Sequence, residues 1–178
     1  MGAHDIEQQL APRASARSFF EQIERELAED DDSTAEAVEA HVSGRVDELA
    51  RRLLEEHFAR RAQEAGAGVE VVDSEGRPLT HVRERRRVLT TQFGEVELSR
   101  PSHSSREHAG VRPTDDVLEL PERRYSYPLQ EKAVIACLRD SYEEAAEELK
   151  RYLGVDIPKR QLEELVLDAG ADVAAFYE

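Results

Sequence analysis

The sequence predicts an α+β protein: N-terminal helices, a small antiparallel β-meander, and a C-terminal three-helix unit of helix-turn-helix type. Three observations lead there. Apolar residues recur at spacings of three and four from Ser18 to about Ala65, and again beyond Pro128, as one buried helix face requires. Between these stretches, residues 67–112 change to alternating runs broken by turn residues, the period of strands. Residues 113–178 then hold three short periodic segments separated by brief stops. The expected organisation is an N-terminal extension over 1–32, a long amphipathic helix over 33–66, a β-hairpin or meander over 67–112, and the three-helix unit over 113–178.

The elements follow in order. Phe19, Phe20, Ile23 and Leu27 give Ser18–Leu27 one apolar stripe, and the acidic run Glu29–Asp32 stops it, because adjacent like charges favour solvent. Ser33 with Glu36 reads as a capping box opening a helix from Thr34 to about Ala65. Val42, Val46, Leu49, Leu53, Leu54 and Phe58 would form its buried face, and Ser43-Gly44 is a candidate bend. Gly66-Ala67-Gly68 ends it. Three strands are expected: Val69–Val72, Thr80–Thr91 and Glu95–Ser99. Asp73–Pro78 and the tight turn Gln92-Phe93-Gly94 join them, and Pro101–Pro113 follows as a loop. Beyond Pro128, Leu129, Ala133, Ala136 and Cys137 share a face. Ser141 with Glu144 is a second capping box, and Gly154 a C-terminal stop. Pro158 suits the first turn of the last helix, which Leu162, Leu165, Val166, Ala169, Val173 and Phe176 line. Leu149, Leu153, Leu162 and Val166 are expected to pack together.

Composition narrows the function. The net charge is −15, unevenly spread. Residues 1–66 hold 16 acidic and 8 basic side chains, residues 113–178 the same, and residues 67–112 hold 7 and 8. Only the middle segment does not repel a polyanion. No apolar run is long enough to span a bilayer, and the N-terminus lacks a secretory pattern. Cys137 is the single cysteine, so no intrachain disulfide forms and a reducing cytoplasm fits. His103 and His108 share a loop without a cysteine partner, no Gly-rich phosphate loop is present, and the carboxylates lie on helix surfaces rather than a convergent strand scaffold. No metal, cofactor or catalytic residue is expected.

Two constellations suit nucleic acid. The first turn of the last helix carries Lys159, Arg160 and Gln161; arginine pairs with guanine and glutamine with adenine through two parallel hydrogen bonds. A plain three-helix bundle fits the same pattern, and Glu143, Glu144, Glu147 and Glu148 on the preceding helix would oppose phosphate. In the second strand Arg83, Arg85 and Arg87 share a face, either as a phosphate track or as a solvated row pairing with Glu70, Glu95 and Glu97.

Three stretches carry a family resemblance: THVRERRRVLTTQFGEVELSR (Thr80–Arg100), LELPERRYSYPLQEKA (Leu118–Ala133) and SYEEAAEELKRYLGVDIPKRQLEELV (Ser141–Val166). Together they resemble the N-terminal region of ISKra-type insertion-sequence transposases, over roughly Gly44 to Tyr177. The resemblance implies that the helix-turn-helix falls on Ser141–Val166, that the partner is double-stranded DNA at transposon ends, and that the D-D-E catalytic triad with its magnesium lies downstream. A self-associating homo-oligomeric interaction module, or a transposase remnant without DNA binding of its own, is the alternative.

Overall fold

The computed structural model describes residues 15–66, 71–72, 75–105 and 110–176. The fold is α+β, with N-terminal helices, a β-hairpin and C-terminal helices in the expected order. The chain divides into two compact units, Met1–His57 and Phe58–Glu178.

In the first unit, helix α1 (Ala16–Ala28) begins at Ser15, whose hydroxyl accepts from the Ser18 amide at 3.2 Å. Ala16, Phe19 and Ile23 are buried while Phe20 is exposed. Helix α2 (Ala35–Gly66), whose last turns from Phe58 belong to the second unit, is capped by Thr34, whose Oγ1 accepts from the Ala37 amide at 3.3 Å. Ser33 is not the cap; its own amide donates to Asp30. The helix runs through Ser43-Gly44 without a break. Its expected buried face is only partly buried: Val42, Leu49, Leu54 and Phe58 are half-buried, and Val46 and Leu53 are exposed. The physical reason is the contact that α1 makes. It meets α2 through charged side chains, with the Phe19 ring under the Arg45 and Arg52 guanidiniums at 5.2 and 4.1 Å. Glu26 accepts from Arg45, and the Ala16 amide donates to Glu56.

In the second unit, β1 (His81–Thr91) and β2 (Gly94–Ser104) pair antiparallel from Thr91↔Gly94 to His81↔Ser104. Gln92-Phe93 is the turn. The Thr91 hydroxyl donates to the Gly94 carbonyl and accepts from the Phe93 amide, and Gly94 takes a φ of 100°. The expected first strand contributes one isolated bridge, Val72↔Pro78, so the sheet is a two-stranded hairpin among the described residues; Val69 and Glu70 lie outside them. The third expected strand runs on past Ser99 through Pro101. His103, two residues later, exchanges both backbone hydrogen bonds with Val111 on the side away from β1. Pro101 points its nitrogen to that same side, so its missing N–H costs the hairpin nothing.

A short helix, α3 (Pro113–Val117), follows. The chain then returns to β1: the Thr90 amide donates to the Arg124 carbonyl at 2.7 Å, and the Ser126 amide to the Thr90 carbonyl at 2.9 Å. Helices α4 (Tyr127–Arg139), α5 (Tyr142–Leu153) and α6 (Lys159–Phe176) complete the unit. The Ser141–Glu144 capping box forms in both directions, and Gly154 ends α5 in the left-handed conformation with φ 64°. The Pro158 carbonyl accepts the first backbone bonds of α6, so Pro158 stands just before the helix.

Tyr125, Leu129, Ala133, Ala136, Ala145, Leu149, Leu162 and Leu165 form the core of this three-helix unit, with Leu153 packed at its edge. Val166 is half-buried and lies outside that cluster, contrary to expectation, and the side chains of Val173 and Phe176 lie outside the described residues. Val155 and Ile157 take the inner place instead. They alternate inward from the extended turn Gly154–Pro158, and Ile157 is fully buried.

Candidate nucleic-acid interface

Strand alternation places Arg83, Arg85 and Arg87 on one face, as the sequence requires. The register decides which face. Their partners are Ser102, Arg100 and Leu98, and the next pair on that face is Leu89 with Val96. Leu89, Val96, Leu98, Arg100 and Ser102 are all buried, so the arginine row begins at the core of the hairpin and runs outward. Arg87 sits at the inner end with 17% of its side chain exposed. Its guanidinium donates to the carbonyls of Pro121 and Arg123 and pairs with Asp115 at 3.4 Å. A guanidinium with its donors spent on backbone and carboxylate has little left for phosphate. Arg87 is therefore a clasp between β1 and the 121–123 segment, and the expected phosphate track shortens to two residues. Arg83 and Arg85 are exposed and have no side-chain partner among the described residues.

The opposite face carries the expected neutralising pairs, with different members. Arg86 pairs with Glu97 at 3.4 Å, and Glu95 receives Arg124 at 2.7 Å. Glu70, the third expected partner, lies outside the described residues. His103 is not a loop ligand but a buried strand residue, and His108 lies outside the described residues.

Sequence reading missed the strongest charge contact in the hairpin. Arg100 is buried and forks onto both oxygens of Asp115, with Nη2 to Oδ2 at 2.9 Å. The parallel fork satisfies the carboxylate, and that satisfaction is what makes a buried pair tolerable. Its signal was parity: Arg100 stands two residues beyond Leu98 and four beyond Val96, on the inward side of β2. Asp115 holds Arg87 as well, so one carboxylate at the start of α3 fastens both strands.

In the three-helix unit, Lys159, Arg160 and Gln161 do begin α6, and the structure separates their roles. Gln161 is half-buried and its side-chain carbonyl accepts from the Tyr125 hydroxyl. Desolvation holds the Tyr125 phenol above its ordinary pKa, so it remains a donor. That bond ties the Gln161 amide back against Tyr125 rather than leaving it free at the helix end. Lys159 pairs with Glu143 on α5 at 2.7 Å. Arg160 is 88% exposed and pairs with Glu164, one turn ahead on its own helix.

The acids of α5 are largely occupied: Glu143 by Lys159, Glu144 by its cap, and Glu148 by Arg139 at 2.8 Å. Arg123 spans Glu164 and Asp168, and its hydrogen bonds hold both carboxyls below the usual carboxylate range.

The family profile that matches this chain covers residues 29–177, from the acidic stop after α1 to the end of α6. The chain belongs to the uncharacterised protein family UPF0236. No curated protein matches it. The matched span of this UPF0236 protein takes in α2, the hairpin, the Asp115 clasp and the three-helix unit, and leaves α1 outside. Among its described residues, no helix is long and apolar enough to cross a membrane, and no cluster of three His, Cys, Asp or Glu side chains could hold a metal ion. Burial pushes the Cys137 thiol up, away from the reactive thiolate form.

Proposed function

We propose that this chain is the non-catalytic, DNA-binding part of an insertion-sequence transposase, and that it reads double-stranded transposon-end DNA with the first turn of α6. One observation carries the reading. Two helices, α5 and α6, pack on α4 through a dry core and present Arg160 almost fully exposed beside Lys159 at the N-terminal end of α6. The positive pole of the helix adds to both charges there. Releasing them costs little: exposed ion pairs are worth roughly 0–1 kcal/mol, and Glu164 keeps Arg123 when Arg160 leaves.

Arg83 and Arg85 supply a second, sequence-independent contact to phosphate. The D-D-E carboxylates and magnesium belong, in this reading, to a separate catalytic domain of the transposase, and this chain transfers no strand itself. A protein–protein interaction module is the second reading, favoured by an apolar outer face on α4.

Fluorescence anisotropy against the element's terminal repeats and against random duplex, at two salt concentrations, tests the proposal. Arg160→Ala should lose about 1–3 kcal/mol on the terminal repeat and less on random DNA. Arg83→Ala should weaken both alike and flatten the salt dependence by roughly one counterion unit. If Arg160→Ala leaves affinity and sequence preference untouched, α6 is structural and the reading fails.

A further inference from the structure

Helix α4 is apolar on two opposite faces. Leu129, Ala133 and Ala136 point inward to the core. On the far side Tyr127, Ile135 and Leu138 face solvent, with Ile135 47% and Leu138 74% exposed. An apolar strip left exposed on the outer side of a helix is a candidate contact surface.

The charges on α4 narrow what covers it. Residues 113–178 carry 16 acidic against 8 basic side chains, so most faces of this unit repel a second copy of themselves. Helix α4 is the exception: its charged residues are Glu131, Lys132 and Arg139, a net of +1. Two of these have a symmetric placement. Glu131 lies four residues before Ile135 and Arg139 four residues after it, so all three stand in one row along the helix. When two such helices cross antiparallel about a two-fold axis at Ile135, Glu131 of each copy comes opposite the other copy's Arg139.

We propose that two copies of this chain associate through α4, with Ile135 on the two-fold axis, Leu138 flanking it on each side, and the two Glu131–Arg139 pairs at either end. An isologous two-fold contact needs a self-complementary patch, and this row supplies one. Arg139 now pairs with Glu148 in a largely exposed contact, a weak bond that exchanges readily for another carboxylate. A single helix pair covers less than the roughly 800 Å² per partner of a standard interface, so the association is reversible, in the micromolar range. The inference is independent of DNA binding.

Sedimentation equilibrium of the full chain without DNA tests it. The mean mass should climb from monomer toward dimer as concentration rises through about 1–500 μM. Ile135→Glu with Leu138→Glu should hold the chain monomeric throughout, with its circular dichroism unchanged because both sites are on the surface. Glu131→Arg alone, and Arg139→Glu alone, should each weaken association about tenfold or more by opposing like charges. The double exchange Glu131→Arg/Arg139→Glu should restore it to within about threefold. A Val46→Glu variant, on the exposed side of α2, should associate as the parent does. A parent chain that stays monomeric at about 500 μM, a double exchange that fails to recover, or loss of association in Val46→Glu would each overturn the proposal.

Discussion

The α1–α2 pair and the α4–α6 unit both consist of amphipathic helices joined by capped turns, yet different forces hold them. Between α4, α5 and α6 the contact is dry: leucines, alanines, Val155 and Ile157 meet with almost no charge among them. Between α1 and α2 one aromatic ring lies under two guanidiniums, and Glu26 bridges to Arg45 and His41. Glu48 adds a pair of arginine contacts within α2, to Arg51 and Arg52. Apolar burial is insensitive to pH, whereas carboxylate–guanidinium contacts require both partners charged. The two regions of one chain therefore fail under different conditions.

The largest expected effect tests the dry core. Ile157→Ala should cost about 2–5 kcal/mol, because the side chain is fully buried and the turn that carries it is anchored at Gly154 and Pro158. Leu153→Ala, at the edge of the same cluster, should cost less. Urea melts of both variants check the order. Equal losses would mean that the turn is not the plug of this unit.

Acid separates the regions further. The arginines beside Glu26 and Glu48 hold both carboxyls down at about 2. Their folded-state values lie below the unfolded value of about 4.3, so their contribution is present above that pH and is lost as pH falls from about 5 toward 2. Amide hydrogen exchange at pH 6 and pH 3 should show protection at Phe19 and Ile23 falling while Leu149 and Leu162 keep theirs. The second unit also loses charge in acid, at Glu164 and Asp168, but these acids lie outside its core. Uniform loss of protection in both regions would remove the distinction.

The smallest effect concerns α2 itself. Gly44 sits inside the continuous helix with open space where a Cβ would go. Gly44→Ala should stabilise the first unit by roughly 0.5–1 kcal/mol in a thermal melt. A loss of stability would mean that the helix needs a bend there.

Local chemistry made much of this molecule legible in advance. The Ser141–Glu144 box, the left-handed Gly154, the Gln92-Phe93 turn and the alternation of Arg83, Arg85 and Arg87 each depend on a few neighbouring residues, and each was readable from spacing. The candidate site was legible only in part. Arg160 and Lys159 stand where the pattern put them, but Gln161 is engaged by Tyr125 and Arg87 by Asp115 and two carbonyls. Those partners lie 36 and 28 or more residues away in the chain, beyond the reach of any local pattern.

By itself, then, the sequence determined the order of the main helices and of the hairpin, the Ser141 and Gly154 caps, and which side chains share a face, because these follow from backbone geometry over a turn or two. Only the tertiary structure decided which shared face turns inward. Register set Leu98 and Arg100 opposite Arg87 and Arg85, so a row that looked like a solvent track became, at one end, part of the hairpin core. Burial is a property of what packs against a face, and a period of two or of 3.6 defines the face without naming its neighbour.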